Sequence, residues 1–431
     1  MGEIFIVGGG VVGLCAGVRL AEAGASVTLV DKAPDAPSGS APCTFGTPQA
    51  PSWGNAGHIA VEQTAPLASG AMIRSAPKRL FSLGGALGLP LNAISAWAPF
   101  AARLVRAATP ARFATGHNAL KGLLADALPA WKDMATTIEA PNLVRDEGHI
   151  VVWESPESAA RGYAAWMGED IGTATLDHLD AKSLMDAQAL VRGGVTLADG
   201  IRFSHTGQIT DLARLQASLR AHFERLGGTI ITGTATLARN DNRAQVRLDS
   251  GETLKPETIL VTAGVGAGRI MEALGHRVPI IAERGYHIRA SAEDWPADMP
   301  PLVFEDRSMI VTRYTDCVQA ASFVEFGRPD TPADPTKWER LERHIAALGL
   351  PFGKRLQRWI GARPTLPDYL PAIGRSSLAD NLVYAFGHQH LGLTLAPVTA
   401  GLVTDIISGA SPRLDLAPLA VERFGFRKET A

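Results

Sequence analysis

The chain has 431 residues, 46% of them hydrophobic, and a formal charge of −2 from 41 basic and 43 acidic residues. This length exceeds one ordinary hydrophobic core and favours two closely packed domains, and the balanced charge gives no reason to expect a nucleic-acid partner. Cys15, Cys43 and Cys317 are odd in number and lack paired spacing, so we expect neither a disulfide framework nor a metal site.

The first thirty residues follow the pattern of a nucleotide-binding βαβ unit. A predicted apolar strand leads directly into Gly8-x-Gly10-x-x-Gly13, a predicted helix follows, and a second strand ends at Asp31. Gly8 permits the tight turn, Gly10 lets a pyrophosphate approach the backbone, and Gly13 lets helix and strand pack closely. Asp31 is placed to accept hydrogen bonds from both ribose hydroxyls. The predicted site also includes the neighbouring residues Val11, Val12 and Lys32.

The next part of the chain is less regular. Ala33 to Pro51 is rich in Pro, Ser, Gly and Ala, which predicts an irregular segment. Phe81 to Ala102 carries no charge, and we keep two interpretations of it: a buried helical hairpin, or a surface that contacts a membrane or a partner subunit. Its glycines and prolines argue against a single membrane-spanning helix. Ala108 to Thr137 is predicted to be amphipathic helix.

The middle of the chain alternates between predicted strands and helices. The strands are expected at Gly148–Trp153, Ile201–Gln208, Thr229–Leu237, Ala244–Leu248, Thr258–Thr262, Tyr286–Ala290, Met309–Thr312 and Cys317–Ser322. The helices are expected at Ala181–Val191, from a cap at Thr210 or Asp211 to about Leu226, and at Trp338–Leu348. Ala263-Gly264 follows one of these strands as a second Gly-rich turn, and the last three strands are spaced like an antiparallel sheet.

The end of the chain returns to the character of its beginning. A buried strand over Asn381–Gly387 is followed by a loop, and a helix is predicted from Ala396-Pro397 to about Ser408. We therefore predict an α/β (overall α+β) protein with a Rossmann-like domain, an inserted antiparallel-sheet domain and an extra helical region. The predicted division is nucleotide-binding parts at 1–60, 196–275 and 356–431, a mainly helical segment that begins the second domain at 61–195, and the antiparallel sheet at 276–355.

Four motifs together resemble the FAD-dependent glycine and D-amino-acid oxidase family, most closely its bacterial D-amino-acid dehydrogenase branch. The first is the N-terminal glycine motif with Asp31, where Glu is commoner in FAD enzymes, and the second is Ser52-x-Gly54-Asn55-Ala56-Gly57-x-Ile59. The others are Gly361-Ala362-Arg363-Pro364-Thr365 through Gly374 and Gly387-His388-x-His390-x-Gly392-x-Thr394. The resemblance covers nearly the full length, although 64–145 matches no pattern.

The resemblance implies FAD as the cofactor, supported by the second Gly-rich turn. Backbone N–H groups that open the last helix would stabilise the negative charge of a reduced flavin around N1 and the C2 carbonyl. The residues expected to bind FAD beyond the N-terminal motif are Gly54, Asn55, Ala56, Gly57, His58, Thr236, Ala263, Gly264, Gly361, Gly387, His388, Leu391, Gly392, Leu393 and Thr394.

The implied reaction is hydride transfer from the substrate Cα to flavin N5, which yields an imine that hydrolyses to a 2-oxo acid or persists as a cyclic imine. Arg363 stands at the family's carboxylate-binding position and is expected to hold the substrate carboxylate with two hydrogen bonds. Tyr286 either adds a hydroxyl to that carboxylate or is a core aromatic. His58 and His390 either contact flavin or substrate, help hold the substrate amine neutral, or are structural histidines.

The implied function is oxidation of a D-amino acid, with cyclic acids such as D-proline or hydroxy-D-proline as candidates. Two alternatives remain: oxidation of N-methyl or N-alkyl amino acids, and a flavoprotein subunit of a larger dehydrogenase complex. A flavin monooxygenase is a weaker option. The electron acceptor is expected to be oxygen or a quinone of the respiratory chain. Because the first strand begins at residue 3 or 4, we expect a cytoplasmic protein, membrane-associated if 81–102 contacts a bilayer.

Overall fold

The computed structural model describes residues 2–32, 50–292 and 294–427. Most of the irregular segment predicted at Ala33 to Pro51, with Cys43, lies outside the described residues. The strands are β1 Glu3–Val7, β2 Ser26–Asp31, β3 His58–Ile59, β4 Leu87–Gly88, β5 Val144–Arg145, β6 His149–Trp153, β7 Thr175–His178, β8 Asp199–Ser204, β9 Gly207–Ile209, β10 Thr229–Thr232, β11 Ala235–Asn240, β12 Arg243–Leu248, β13 Thr253–Leu254, β14 Thr258–Val261, β15 Ile281–Ser291, β16 Leu302–Phe304, β17 Met309–Arg313, β18 Cys317–Gly327, β19 Gln357–Thr365, β20 Ala372–Arg375 and β21 Leu382–Phe386. The α-helices are α1 Val11–Glu22, α2 Gly70–Arg79, α3 Ile94–Ala107, α4 Pro110–Leu124, α5 Ala127–Thr137, α6 Pro156–Met167, α7 Ala181–Leu190, α8 Leu212–Arg225, α9 Ala267–Glu272, α10 Pro335–Leu348 and α11 Gly392–Ser408.

The N-terminal strand lies inside a six-stranded sheet with the order β10-β2-β1-β14-β21-β20. Neighbouring strands are parallel, except that β20 runs antiparallel to β21. Ile4 pairs with Val27 of β2 on one side and with Thr258 of β14 on the other. The beginning, the middle and the end of the chain therefore meet in one sheet.

Both faces of this sheet are buried, which explains the continuous apolar run of β1. Ile4 and Ile6 belong to the core that includes buried residues of α1, α8 and α11. Phe5 and Val7 point to the opposite face, where they pack in a core with Leu237 and the three-stranded sheet β11-β12-β13. Because side chains alternate along a strand, both neighbours in sequence must be apolar when both faces are covered.

The second domain is built on a nine-stranded sheet. Eight strands follow the order β19-β15-β18-β17-β16-β6-β8-β7, and β4 is the ninth, paired with β18. Its long strands β15, β18 and β19 are antiparallel neighbours, while β16 pairs with β6 in parallel. A small antiparallel sheet has the order β3-β9-β5. This arrangement confirms the predicted fold class, with a parallel sheet, an inserted and largely antiparallel sheet, and added helices.

The predicted boundaries at residues 196 and 356 are wrong for two strands. Both β8 and β19 fall in segments that were assigned to the nucleotide-binding domain, yet β8 pairs with β6 and β19 pairs with β15 in the nine-stranded sheet. Strands of the second domain therefore come both before and after the segment of the first domain that contains β10 to β14. Periodicity alone does not reveal this, because a strand pattern does not name its partner.

The uncharged segment 81–102 does not form a buried helical hairpin. It consists of a 3₁₀ turn at Phe81–Leu83, the two-residue strand β4, a second 3₁₀ turn at Leu91–Ala93 and the start of α3. Leu83 is 69% exposed and Leu91 is 82% exposed, so part of the apolar surface faces outward. Two adjacent glycines at 84 and 85 and a proline at 90 disfavour a continuous helix in this segment. The alternative of a membrane or subunit contact stays a prediction.

Helix α11 begins at Gly392, four residues before the predicted start, so Pro397 lies inside the helix rather than in its first turn. The segment Gln389–Ser408 is long and apolar enough to span a membrane, but 61% of its most apolar stretch is buried inside the protein, as in a core helix. Pro397 has no N–H for the carbonyl of Leu393, its i−4 residue. The indole Nε1–H of the fully buried Trp131 donates to that carbonyl at 2.8 Å and replaces the missing bond.

This replacement can be tested by a double-mutant cycle. Trp131→Phe leaves the buried Leu393 carbonyl without a donor, and we expect it to reduce the free energy of unfolding by about 1–3 kcal/mol. In a Pro397→Ala background the helix supplies its own N–H, so the same Trp131→Phe change should be less destabilising. Urea unfolding of the four proteins measures the difference. An equal loss in both backgrounds would contradict the proposed role of Trp131.

Candidate active site

A cavity of about 700 Å³ lies between the two large sheets. It begins where the parallel strands β1, β2, β14 and β21 end, which is the edge at which open α/β sheets bind ligands, and it continues to β15 and β19 of the second domain. The predicted site residues in its wall are Gly8, Gly10, Val11, Val12, Asp31, Lys32, Gly54, Asn55, Ala56, Ala263, Gly264, Tyr286, Gly361, Arg363, Gly387, His388, Gly392 and Leu393.

The first turn has the geometry that a bound pyrophosphate needs. Gly8 has φ = +112°, and a Cβ atom there would lie 2.7 Å from Cα of Ala263 in the neighbouring turn. A Cβ on Gly13 would lie 2.0 Å from the carbonyl oxygen of Gly8, so helix and strand are in direct backbone contact. Gly10 differs. A Cβ atom on Gly10 would have Ser52 Oγ as its nearest neighbour, at 3.6 Å, so the space beside Gly10 is open.

Asp31 lies at the end of β2, and its carboxylate is part of the cavity wall. Its Oδ2 accepts a hydrogen bond from the Gly9 backbone N–H at 2.6 Å. This bond holds the carboxylate beside the glycine turn, as a group that binds a ribose next to a pyrophosphate must be. The open space at Gly10 and the fixed Asp31 carboxylate fit the adenosine diphosphate half of FAD.

The segment around Asn55 passes close to a flat ring. A Cβ on Gly54 would lie 2.4 Å from the indole of Trp359, which itself stacks on His287 at 4.4 Å between ring centroids. The Asn55 carbonyl accepts hydrogen bonds from Tyr314 Oη at 2.6 Å and from Gln319 Nε2 at 3.0 Å. The second domain therefore fixes the backbone of this cofactor motif.

The C-terminal motif forms the opposite wall. Gly387, with φ = +80°, turns the chain out of β21, and Gly392 and Leu393 open α11 toward the cavity. His388 donates to or accepts from Thr399 Oγ1 at 3.0 Å, and burial lowers its pKa to about 3, so it is a neutral residue tied to the helix. Gly392 and Leu393 bring the positive N-terminal end of the α11 dipole to the cavity wall.

Arg363 lies in the cavity wall on the side of the second domain. It lies on β19 directly opposite Glu283 of β15, and its Nη1 is 3.4 Å from Glu283 Oε1. Its side chain is 27% exposed, so the guanidinium keeps free donors. Glu283 is buried and also accepts from Thr365 Oγ1 at 2.9 Å and from Tyr369 Oη at 3.3 Å.

Tyr286 does not point its hydroxyl at the substrate. Side chains alternate along β15, so Glu283 and His287 share one face and Tyr286 lies on the other, within the core of the second domain. Its hydroxyl accepts from the Asp334 backbone N–H at 3.0 Å and lies 3.5 Å from Glu325 Oε1. Of the two interpretations, the structure favours the core aromatic. The expected contact between the Tyr286 hydroxyl and the substrate carboxylate is wrong, because the hydroxyl lies on the other face of β15.

His58 and His390 lie behind the cavity wall rather than in it. Burial lowers the pKa of each to about 4. His390 Nε2 is hydrogen-bonded to Gln63 Oε1 at 2.6 Å, and the His58 ring contacts the His149 ring at 4.3 Å. Gly13, Gly57, Leu391 and Thr394 also lie behind the wall, where Thr394 Oγ1 accepts from the Ala60 backbone N–H at 3.1 Å. These residues support the motifs through packing.

Thr236 was predicted to bind FAD, but it does not line the cavity. It is an exposed residue of β11 whose hydroxyl faces the Arg247 carbonyl at 3.4 Å, while the preceding residues 233–235 line the cavity. Sequence reasoning also missed Glu283 and Trp359. No local signal singles out Glu283, because the next residue is also charged and its partner Arg363 lies 80 residues away.

Comparison with known proteins covers nearly the whole chain. The chain is 27% identical to a D-amino-acid oxidase of Bradyrhizobium diazoefficiens over 431 residues, spanning 98% of this chain and 99% of that protein. It is 25% identical to a D-amino acid dehydrogenase of Rhizobium johnstonii, spanning 98% of this chain and 100% of that protein. Both relatives therefore share its full length.

Solved structures share the fold. Iminodiacetate oxidase from a Chelativorans species superposes with a TM-score of 0.71 at 18% identity, covering 97% of this chain and 98% of the other. Glycine oxidase from Geobacillus kaustophilus gives a TM-score of 0.69 at 18% identity, with the same coverage. Residues 3–406 match the family DAO, described as FAD dependent oxidoreductase. The chain therefore belongs to the DAO family and is an FAD-dependent amino-acid oxidoreductase.

Proposed function

We propose that this enzyme oxidises a D-amino acid at its Cα–N bond, with cyclic acids such as D-proline and hydroxy-D-proline as the leading candidates. The observation that carries the proposal is the position of Arg363, a partly free guanidinium in the wall of the cavity that would hold FAD. Relatives named D-amino-acid oxidase and D-amino acid dehydrogenase, 25–27% identical over the full length, support the choice of substrate class.

Arg363 suits a carboxylate because its planar fork can donate two parallel hydrogen bonds. Glu283 holds one side of the fork, and the hydroxyls of Thr365 and Tyr369 hold Glu283 in turn. The guanidinium also lies beside Gly285, where a Cβ atom would be 2.6 Å from Arg363 Nη2. The side chain is thus packed into one position before a substrate arrives, which reduces the entropy lost on binding.

The other residues of the cavity orient the substrate and adjust the electrostatic environment of the cofactor, and they do not form covalent bonds with either. Bound FAD supplies the acceptor for the hydride that leaves the substrate Cα. The first turn of α11, with Gly392 and Leu393 in the cavity wall, offers N–H groups to negative charge that develops on the ring system. His388 and His390 are neutral at physiological pH because burial lowers their pKa values to about 3 and about 4. They therefore add no second positive charge beside Arg363.

A substrate panel tests the proposed class. The purified yellow enzyme is mixed without oxygen with D- and L-amino acids, D- and L-proline, hydroxy-D-proline, and N-methyl amino acids, and bleaching of the flavin absorbance is recorded. We expect D-amino acids to bleach it faster than their L-enantiomers, with the cyclic D-acids fastest. Bleaching by sarcosine-type compounds alone would replace the proposal by N-alkyl amino-acid oxidation. Reoxidation by oxygen or by a quinone then identifies the acceptor.

Replacing the carboxylate clamp tests Arg363 directly. Arg363→Leu removes charge-assisted hydrogen bonds worth about 1.5–3 kcal/mol, so we expect kcat/KM to fall by about 10- to 150-fold, mostly through KM, with FAD still bound. Arg363→Lys should recover part of the loss, because it keeps the charge without the fork. Arg358→Leu is the matched control, since Arg358 lies on the same strand but pairs with Glu342 at 2.8 Å. Unchanged kinetics in Arg363→Leu would remove this residue from the site.

A further inference from the structure

Three side chains that commonly bind metals meet in the interior, outside the cavity wall. They are His58 on β3, Glu62 four residues later, and His149 at the start of β6. One nitrogen or oxygen atom from each lies within 4.8 Å of the other two, and His58 Nε2 is 3.7 Å from Glu62 Oε2. Glu62 and His149 are each 3% exposed, so this is an interior cluster and not a solvated surface group.

Two of these atoms lack the partners that buried polar atoms normally have. Neither His58 Nε2 nor Glu62 Oε2 has a hydrogen-bond partner among the described residues, although both are shielded from solvent. Most buried polar side-chain atoms in folded proteins are hydrogen-bonded or bind an ion. An imidazole nitrogen and a carboxylate oxygen that face each other without a bond are therefore an incomplete site.

The third side chain is held in place by a hydrogen bond and by ring stacking. His149 Nδ1 is 3.0 Å from Thr206 Oγ1, and its ring stacks on Phe203 at 4.5 Å with an interplanar angle of 3°. When Nδ1–H donates to Thr206, Nε2 carries the lone pair. A hydrogen bond from the second ring nitrogen is the usual way in which a metal-binding histidine is held in one tautomer and one orientation.

We propose that His58, Glu62 and His149 form a binding site for a divalent transition-metal ion of the zinc class. Two imidazoles and one carboxylate match three-ligand zinc sites, with a fourth position for water, whereas calcium and magnesium prefer oxygen ligands. Donors around a tetrahedral zinc ion lie about 3.4 Å apart, so small side-chain rotations close the site. The ion joins the cofactor motif at 54–59 to the substrate-domain strand β6.

This proposal departs from the expectation of no metal site, which considered only cysteine spacing. Residues 58, 62 and 149 do not form a short metal-binding motif, because His149 is 91 positions from His58 and reaches it only in the folded protein. The proposed ion has a consequence for stability. Because it would bind only when the two domains are packed together, occupancy should stabilise the folded protein against unfolding.

The first measurement uses the untagged, flavin-bound wild-type protein. After dialysis against a zinc-containing buffer and removal of free metal, zinc per flavin is determined by plasma mass spectrometry. We expect one ion per chain and a Tm that falls when a chelator removes it. Cobalt added to the zinc-free protein should give d–d absorption at wavelengths beyond the flavin bands, as cobalt bound to nitrogen and oxygen ligands does.

Substitutions then assign the site. His149→Gln and Glu62→Gln each remove one ligand and should weaken zinc affinity by at least about 100-fold, and Thr206→Val should weaken it by about 10- to 100-fold. His178→Gln is the matched control, because His178 lies 3.9 Å from the Asp199 carboxylate but is 59% exposed. It should retain one zinc ion with unchanged affinity.

Two outcomes overturn the proposal. One is a wild-type protein that holds well below one zinc per chain, shows no cobalt spectrum and has the same Tm with and without metal. The other is equal zinc affinity in wild type, His149→Gln and Glu62→Gln. If a substituted protein does not fold, the wild-type stoichiometry and cobalt spectrum decide by themselves. Flavin content and substrate bleaching are recorded separately, so failure of the metal site is distinguishable from failure of the proposed oxidation.

Discussion

The parallel pairing of β1 with β14, and of β14 with β21, is the constraint on which the site depends. It brings three turns from distant parts of the chain to the same edge of one sheet. Thr262, just after β14, donates its hydroxyl hydrogen to the Gly8 carbonyl at 2.7 Å, which locks the second turn onto the first. A dinucleotide can then contact the start, the middle and the end of the chain at once. Apolar side chains on both faces of β1 hold this sheet buried between two cores.

Strand β15 has a different function on each face. One face presents Glu283 and the space at Gly285 to Arg363. On the opposite face, buried Arg284 pairs with Glu325 at 2.7 Å, and Lys337 bridges Glu325 and Asp334 at 2.6 Å each. Buried ion pairs of this kind add little net stability when well made, but removal of one partner is strongly destabilising. They therefore fix the position of the strand that carries Glu283, the partner of Arg363.

The segment from Gly54 to Gln63 connects the two domains at the cavity. Its Asn55 carbonyl is held by Tyr314 and Gln319 from the second domain, and the Ala60 N–H is held by Thr394 from the first. Burial raises the pKa of Glu62 to about 8 and lowers that of His58 to about 4, so both side chains are largely neutral near pH 7 in the absence of a ligand. Neutral His58 is already the form that binds a metal ion, so only the carboxyl proton of Glu62 would have to leave when an ion binds.

The sequence by itself determined the elements whose signals are local. The glycine turn, Asp31 and most strand and helix positions were predicted because a few adjacent residues carry the physical requirement, such as space for a pyrophosphate. The role of Arg363 was expected only from the resemblance to the oxidase family, and it stays a prediction. The tertiary structure alone decided the partners. In the folded chain, β8 and β19 pair within the second sheet, and Glu283 lies opposite Arg363. Tyr286 lies in the core, Trp131 donates to the Leu393 carbonyl that Pro397 cannot bond, and the His149 ring contacts the His58 ring. These contacts join residues that are tens to hundreds of positions apart, and no local pattern encodes which strands will lie side by side.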